Sequence, residues 1–182
     1  MEQNGTPAAL LAVFRAWMDV PLAAQYACQA LDSILSKYEG NQLFLGEHGL
    51  GEGLVRCMAL HQHTSPPVVL EYALWALYNL CVDCPSNQTK VGLAGGCEQL
   101  VKSLHIHRNH AGLMSQGLRV MMGVAMGHDS NLARLQAPVP VPASASSDVT
   151  PNSAVSSSSD RGGRASGFEV VVGAMQLHPD NR

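Results

Sequence analysis

The sequence predicts an all-α fold built from repeated groups of helices, and two observations lead to this prediction. The first is self-similarity at a fixed offset, which is the usual signature of stacked repeats. The second is the spacing of apolar residues within each repeated block, at positions i, i+3, i+4 and i+7, as on one buried face of a helix. In one block these positions hold Ala73, Ala76, Leu77 and Leu80. Both observations favour a row of similar units, each buried by its neighbours.

The repeat aligns three separate blocks at one offset of 46 residues. The matched ranges are 26–35 with 72–81, 41–42 with 87–88, and 52–61 with 98–107. Offsets of 44 and 71 extend the pattern to a helix at Asn131 and to another at Phe168. Chance rarely aligns three blocks at an unchanged offset, and a period in the mid-forties is typical of armadillo or HEAT repeats with two or three helices per unit.

One unit contains Asn41, Gly49, a Leu-Val-x-x-Met stretch at 54–58 and the segment Ala-Leu-Trp-Ala-Leu-Tyr-Asn-Leu at 73–80. This order resembles the repeat of the armadillo family, in which a short first-type helix is followed by a second-type and a third-type helix. The resemblance covers most of the chain. It implies a right-handed α-solenoid of armadillo-type (ARM/HEAT-like) repeats and a role in protein binding.

The pattern divides the chain into three parts. Residues 1–136 are predicted to be armadillo-like repeats. Residues 137–166 are predicted to be a disordered insertion, because they are rich in serine and proline and contain too few apolar residues to offset the cost of ordering. Residues 167–182 are predicted to be a second-type helix of an incomplete repeat. No following helix would cover Val170, Val171 and Met175, so we expect either a fragment of a longer array or a partner over this end.

Composition excludes several classes of function. The net charge of −3 and the pI near 6.2 argue against nucleic acid or an anionic membrane as the main partner. Five cysteines are an odd number, which favours a reduced intracellular setting, in the cytoplasm or the nucleus. Nucleophile-elbow, phosphate-loop and zinc-protease motifs are all missing, so we expect no enzyme activity and no cofactor.

Trp75 and Asn79 are the leading candidates for partner binding, because on a helix they lie away from the buried stripe, with Tyr72 beside them. In armadillo proteins of the nuclear-import adaptor type, a tryptophan and an asparagine one turn apart line a concave groove that holds an extended peptide. The resemblance implies the same role for Trp75 and Asn79 here.

The equivalent positions in the neighbouring units hold Gln29, Ser33 and Arg119. We therefore predict a groove for a protein or peptide ligand, in which Arg119 favours an acidic segment. In the alternative reading, Trp75 packs between neighbouring units and Asn79 bonds a nearby backbone group.

Three further alternatives remain open. In the first, the chain is a structural spacer or regulatory segment of a larger multidomain protein, such as a kinase or cytoskeletal protein, and is flanked by further repeats. In the second, Ser166 is a site of regulatory phosphorylation, which the basic stretch at 161–164 before it favours. In the third, the chain is a zinc or redox protein through Cys81, Cys84, His105 and His107; we expect no metal, because a structural zinc site needs four converging ligands.

Overall fold

A computed structural model describes residues 5–141 and 163–177 of the chain. Its elements, in chain order, are α1 (Gly5–Trp17), α2 (Pro21–Leu35), α3 (Glu39–Glu47), α4 (Leu50–His61), α5 (Val68–Cys81), α6 (Pro85–Leu93), α7 (Gly96–Ile106), α8 (Ala111–Ala125), α9 (Asp129–Gln136), β1 (Val139–Pro140), β2 (Arg164–Ala165) and α10 (Gly167–Leu177). Helices dominate these ranges, which confirms the predicted all-α class. Within them no helix is both long and apolar enough to cross a membrane.

From α2 onwards the helices pack in three rows, and within a row each helix contacts the one three places further along the chain. Helices α3, α6 and α9 form one row, whose members we call first-type helices. Helices α4, α7 and α10 form the row of second-type helices, and α2, α5 and α8 form the row of third-type helices. Helices α3–α5 and α6–α8 are therefore two complete units. In the described residues, α1–α2 form an incomplete unit before them and α9–α10 an incomplete unit after them.

Buried asparagines join the units along the row of first-type helices. The side-chain nitrogen of Asn87, on α6, donates to two carbonyls of the preceding unit, that of Leu80 on α5 at 2.9 Å and that of Gln42 on α3 at 3.0 Å. Asn131 makes the corresponding two bonds one unit later, both at 2.8 Å. Each amide thus bonds two carbonyls of the preceding unit, one near the end of its last helix and one in its first helix, as buried backbone groups require.

Glycines at repeat-equivalent positions make these contacts and the turns possible. A Cβ atom on Gly46 would lie 1.9 Å from Oδ1 of Asn87, and a Cβ on Gly92 would lie 1.9 Å from Oδ1 of Asn131. Gly49 precedes α4 with φ of +79°, in the left-handed region where glycine is favoured. The sequence repeat thus reproduces the same tight packing in both units.

Both ends of the predicted disordered insertion are ordered in the structure. Strands β1 and β2 pair antiparallel, with Val139 opposite Ala165, and both of these side chains are buried. The prediction of disorder is therefore wrong for residues 137–141 and 163–166. Within them the backbones of 139–141 and 163–165 pair, and the side chains of Val139, Val141 and Ala165 join the core. Residues 142–162 lie outside the described residues, so the prediction for them stays a prediction.

Candidate partner-binding face

The six predicted partner-binding residues lie on three neighbouring helices. Helix α2 carries Gln29 and Ser33, α8 carries Arg119, and α5, which packs between them, carries the rest. None of the six is buried; Gln29, Ser33 and Arg119 are exposed, and the three on α5 are half-buried. We call this surface the α2–α5–α8 face, and it consists of Gln29, Ser33, Tyr72, Trp75, Asn79 and Arg119.

The indole of Trp75 is held by residues of α8, in the next unit. The guanidinium carbon of Arg119 lies 5.5 Å from the centroid of the Trp75 ring, within the range of cation–π attraction. When the Gln116 amide is oriented to match its neighbours, its oxygen accepts from Trp75 Nε1 at 3.0 Å and its nitrogen donates to the Glu71 carbonyl at 3.2 Å. Trp75 therefore packs between units, as the alternative reading predicts, and Arg119 already lies on its ring.

The side chain of Asn79 is bonded to the preceding unit. Its Nδ2 donates to Oδ1 of Asp32, on α2, at 2.6 Å, and its backbone carbonyl accepts from Nε2 of Gln42 at 3.0 Å. The alternative reading predicted a backbone partner for the amide, whereas the partner is a carboxylate. Burial raises the pKa of Asp32, and the bond from Asn79 opposes that rise because it stabilises the charged form.

A cavity of about 660 Å³ opens beside Asn79, where the α2–α3 and α5–α6 loops meet. Its walls include Tyr38, Gln42 and Asp83, so both aromatic and charged groups line it. Ligand pockets commonly have volumes of about 300–1,000 Å³, and this cavity therefore has room for side chains of a bound segment. The Tyr38 ring is 69% exposed and is available for contact with such a segment.

Asp32 and Gln116 hold the face together, yet the sequence did not reveal either residue. The repeat places Asp32 at the same position as Tyr78, and Gln116 at the same position as Tyr72. Because neither residue type recurs along the repeat, no periodic signal marks them. Their contacts depend on which helices lie side by side.

Ser166, the predicted phosphorylation site, caps the beginning of α10. Its backbone nitrogen donates to Oε2 of Glu169 at 2.7 Å, and the Glu169 nitrogen donates to Oγ of Ser166 at 3.3 Å. These two bonds form a capping box, whose Ser-x-x-Glu pattern is visible in the sequence. Ser166 is only 8% exposed, so a kinase would reach its hydroxyl only after this turn had opened.

The histidines of the repeat serve as links between units. His61 Nε2 lies 2.8 Å from the Met18 carbonyl, and His107 Nε2 lies 2.8 Å from the equivalent Gln62 carbonyl, one unit later. Among the described residues, no three His, Cys, Asp or Glu side chains are placed to hold a metal ion. Burial also raises the pKa of the Cys81 thiol, which opposes its use as a thiolate. The described residues therefore offer no ligand set for the zinc alternative. For the redox alternative, they offer no activated thiol at Cys81.

Comparisons of the chain with protein-family models, with curated proteins and with solved structures find no match.

Proposed function

We propose that this chain is a non-catalytic protein-binding scaffold: a right-handed armadillo-type solenoid whose α2–α5–α8 face holds an extended segment of a partner protein. The observation that supports it most is the side-by-side packing of α2, α5 and α8, which brings residues of three units onto neighbouring helices. Packed helices lie roughly 8–10 Å apart and an extended chain rises about 3.3 Å per residue. About three residues of the segment would therefore cross each helix.

The groups on this face favour an acidic or neutral segment. Arg119 is exposed and lies over the ring of Trp75, so a basic side chain of the partner would meet a like charge there. An acidic side chain would instead pair with the guanidinium. On α2, the exposed amide of Gln29 can donate to and accept from a peptide backbone.

The test begins with affinity purification of partners on the whole chain, followed by calorimetric titration with synthetic segments of the partners found. The triple variant Gln29→Ala/Ser33→Ala/Arg119→Ala should bind the segment at least tenfold more weakly, a loss of about 1.4 kcal/mol. Its melting temperature should stay close to that of the parent, because all three side chains are exposed. The double variant Trp75→Ala/Asn79→Ala should also weaken binding, but it removes contacts between units and lowers stability as well.

Trp17→Ala is the matched control, because it removes the other of the two tryptophans, which is 56% exposed on α1. This variant should keep the parental affinity. A single Arg119→Glu substitution should reverse the preference from acidic towards basic segments. Equal affinity of the triple variant and the parent for every segment would show that the partner binds elsewhere.

A further inference from the structure

An apolar stripe on α10 is exposed to solvent. Phe168, Val172 and Met175 lie at i, i+4 and i+7 of this helix, so they share one face. They are 72%, 36% and 58% exposed, respectively. The opposite side of the helix is anchored, because Val170 is buried and Gly167 lies against Leu135 of α9.

The three equivalent positions are buried on α7, the corresponding helix of the preceding complete unit. On α7 they hold Cys97, Val101 and Leu104, and each of these side chains is at most 1% exposed. Leu104 lies against Gly117 of α8, where an added Cβ would come within 2.2 Å of the leucine side chain. A third-type helix therefore covers this stripe when the unit is complete.

The side of α8 that faces away from α5 is also more exposed than the equivalent side of α5. Met122 of α8 and Met126, directly after this helix, are 51% and 58% exposed. The equivalent residues one unit earlier are Tyr78 of α5 and Val82, directly after that helix. Both are half-buried, and the Tyr78 ring lies against Gly123 of α8. A third-type helix beside α8 would cover Met122 and Met126 just as α8 covers Tyr78.

We propose that one amphipathic α-helix of another protein docks on this open face, which consists of Met122, Met126, Phe168, Val172 and Met175. The helix packs along α10 and beside α8. This is the place that α8 itself takes along α7 and beside α5. The proposal continues interfaces that already exist in the chain, those of α7 with α8 and of α5 with α8. It concerns a surface different from the α2–α5–α8 face.

The buried stripes of α5 and α8 define the chemistry of the partner helix. Both combine small residues with branched or long apolar ones; the α5 stripe is Ala73, Ala76, Leu77 and Leu80, and the α8 stripe is Leu113, Gly117, Val120, Met121 and Val124. A matching helix has about four turns, with small residues facing α10. Exposed methionines suit such a partner, because their flexible side chains adapt to different apolar surfaces.

The probe is a fluorescent synthetic peptide with the sequence of residues 110–128, which includes α8 and contains no cysteine. Titrated with the whole chain, it should bind saturably, with a dissociation constant of roughly 10–100 µM because the free peptide must fold as it binds. Circular dichroism should show the peptide becoming helical in the complex. A peptide of the same length with Val120→Asp and Val124→Asp, which spoil the stripe, should not bind.

Substitutions in the chain locate the site. Val172→Glu on α10 and Met122→Glu on α8 should each weaken peptide binding at least tenfold, while Leu93→Glu, at a position 72% exposed on α6, should leave it unchanged. Melting temperatures of all three variants check that they fold. The Gln29→Ala/Ser33→Ala variant should bind the peptide normally, so failure at one surface is distinguishable from failure at the other.

Three results would overturn the proposal. One is the absence of saturable binding up to about 1 mM peptide. Another is equal affinity for the parental and the Asp-substituted peptides. The third is self-association of the chain that the Val172→Glu substitution abolishes and the peptide does not displace, because a second copy would then occupy the open face.

Discussion

Helices α7 and α10 occupy equivalent places in successive units, but the same stripe is buried in one and exposed in the other. Leu104 of α7 is fully buried, whereas Met175, at the equivalent position of α10, is 58% exposed. Both helices begin at a glycine that lies against the preceding first-type helix, so they are anchored alike on that side. The difference arises from the third-type helix, which covers α7 and has no counterpart on α10 among the described residues. In a stack of repeats, burial is thus a property of the neighbouring unit more than of the helix itself.

The largest expected change in stability concerns Leu104 and Met175, which occupy equivalent positions of this stripe. Leu104→Ala should lower the free energy of unfolding by about 2–5 kcal/mol, because it leaves a cavity against Gly117. Met175→Ala should change it by less than about 0.5 kcal/mol, because the side chain is largely exposed. Denaturant titrations of both variants make the measurement. Equal destabilisation would mean that Met175 is covered in solution.

The asparagines provide a second comparison, between an interior unit and the edge of the stack. Asn87 is buried and bonds two carbonyls, so Asn87→Ala should cost about 2–4 kcal/mol of stability. Asn41, at the equivalent position one unit earlier, bonds one carbonyl, that of Ile34, at 2.9 Å and is half-buried. Asn41→Ala should therefore cost only about 1 kcal/mol.

Asn87→Asp is the matched control for this comparison, because it keeps the shape of the side chain and removes the two donated bonds. It should be at least as destabilising as Asn87→Ala, since a buried carboxylate would face two carbonyl oxygens. If both Asn87 variants unfold at the same denaturant concentration as the parent, the asparagine bonds contribute little to the joining of the units.

The smallest expected effect concerns pH. Burial lowers the pKa of His107, and the nearby His110 and His63 act in the same direction, against the bond to the Gln62 carbonyl. Between this lowered pKa and the ordinary value of about 6.5, the unfolded chain binds a proton that the folded chain does not. The stability contribution is therefore complete above the ordinary pKa and is lost as the pH falls through this window.

His107→Gln removes this titration. Its melting temperature should fall less than that of the parent when the pH is lowered from about 7.5 to about 5.5, across the histidine window. His48→Gln, at an exposed position after α3, serves as the control and should keep the parental pH dependence. Identical pH dependence of all three proteins would assign the effect to other groups.

The helices themselves were largely predictable. Apolar spacing and the 46-residue offset located α2, α4, α5 and α7, because the spacing depends on residues close together in the chain. The capping box of Ser166 and Glu169 was equally local and could have been found from its Ser-x-x-Glu pattern. The basic residues at 161–164, just before Ser166, instead favoured a phosphorylation site.

The candidate face was predictable only in outline. The repeat indicated that Trp75 and Asn79 lie off the buried stripe, and neither is buried. It did not indicate that Arg119 would cover the indole or that Asp32 would take the amide, because those partners come from helices some 45 residues away in either direction. Whether the face binds a partner remains the prediction tested above.

By itself, the sequence determined the helical class and the length of the unit. Hydrophobic spacing and backbone conformation are local properties, and repetition of the same local signals enforces the same unit. Only the tertiary structure decided that residues 139–141 pair with 163–165, that Trp75 is held by α8, and that Phe168, Val172 and Met175 are left open. Each of these depends on which surfaces meet, and an identical stripe is core or surface according to the helix that lies against it.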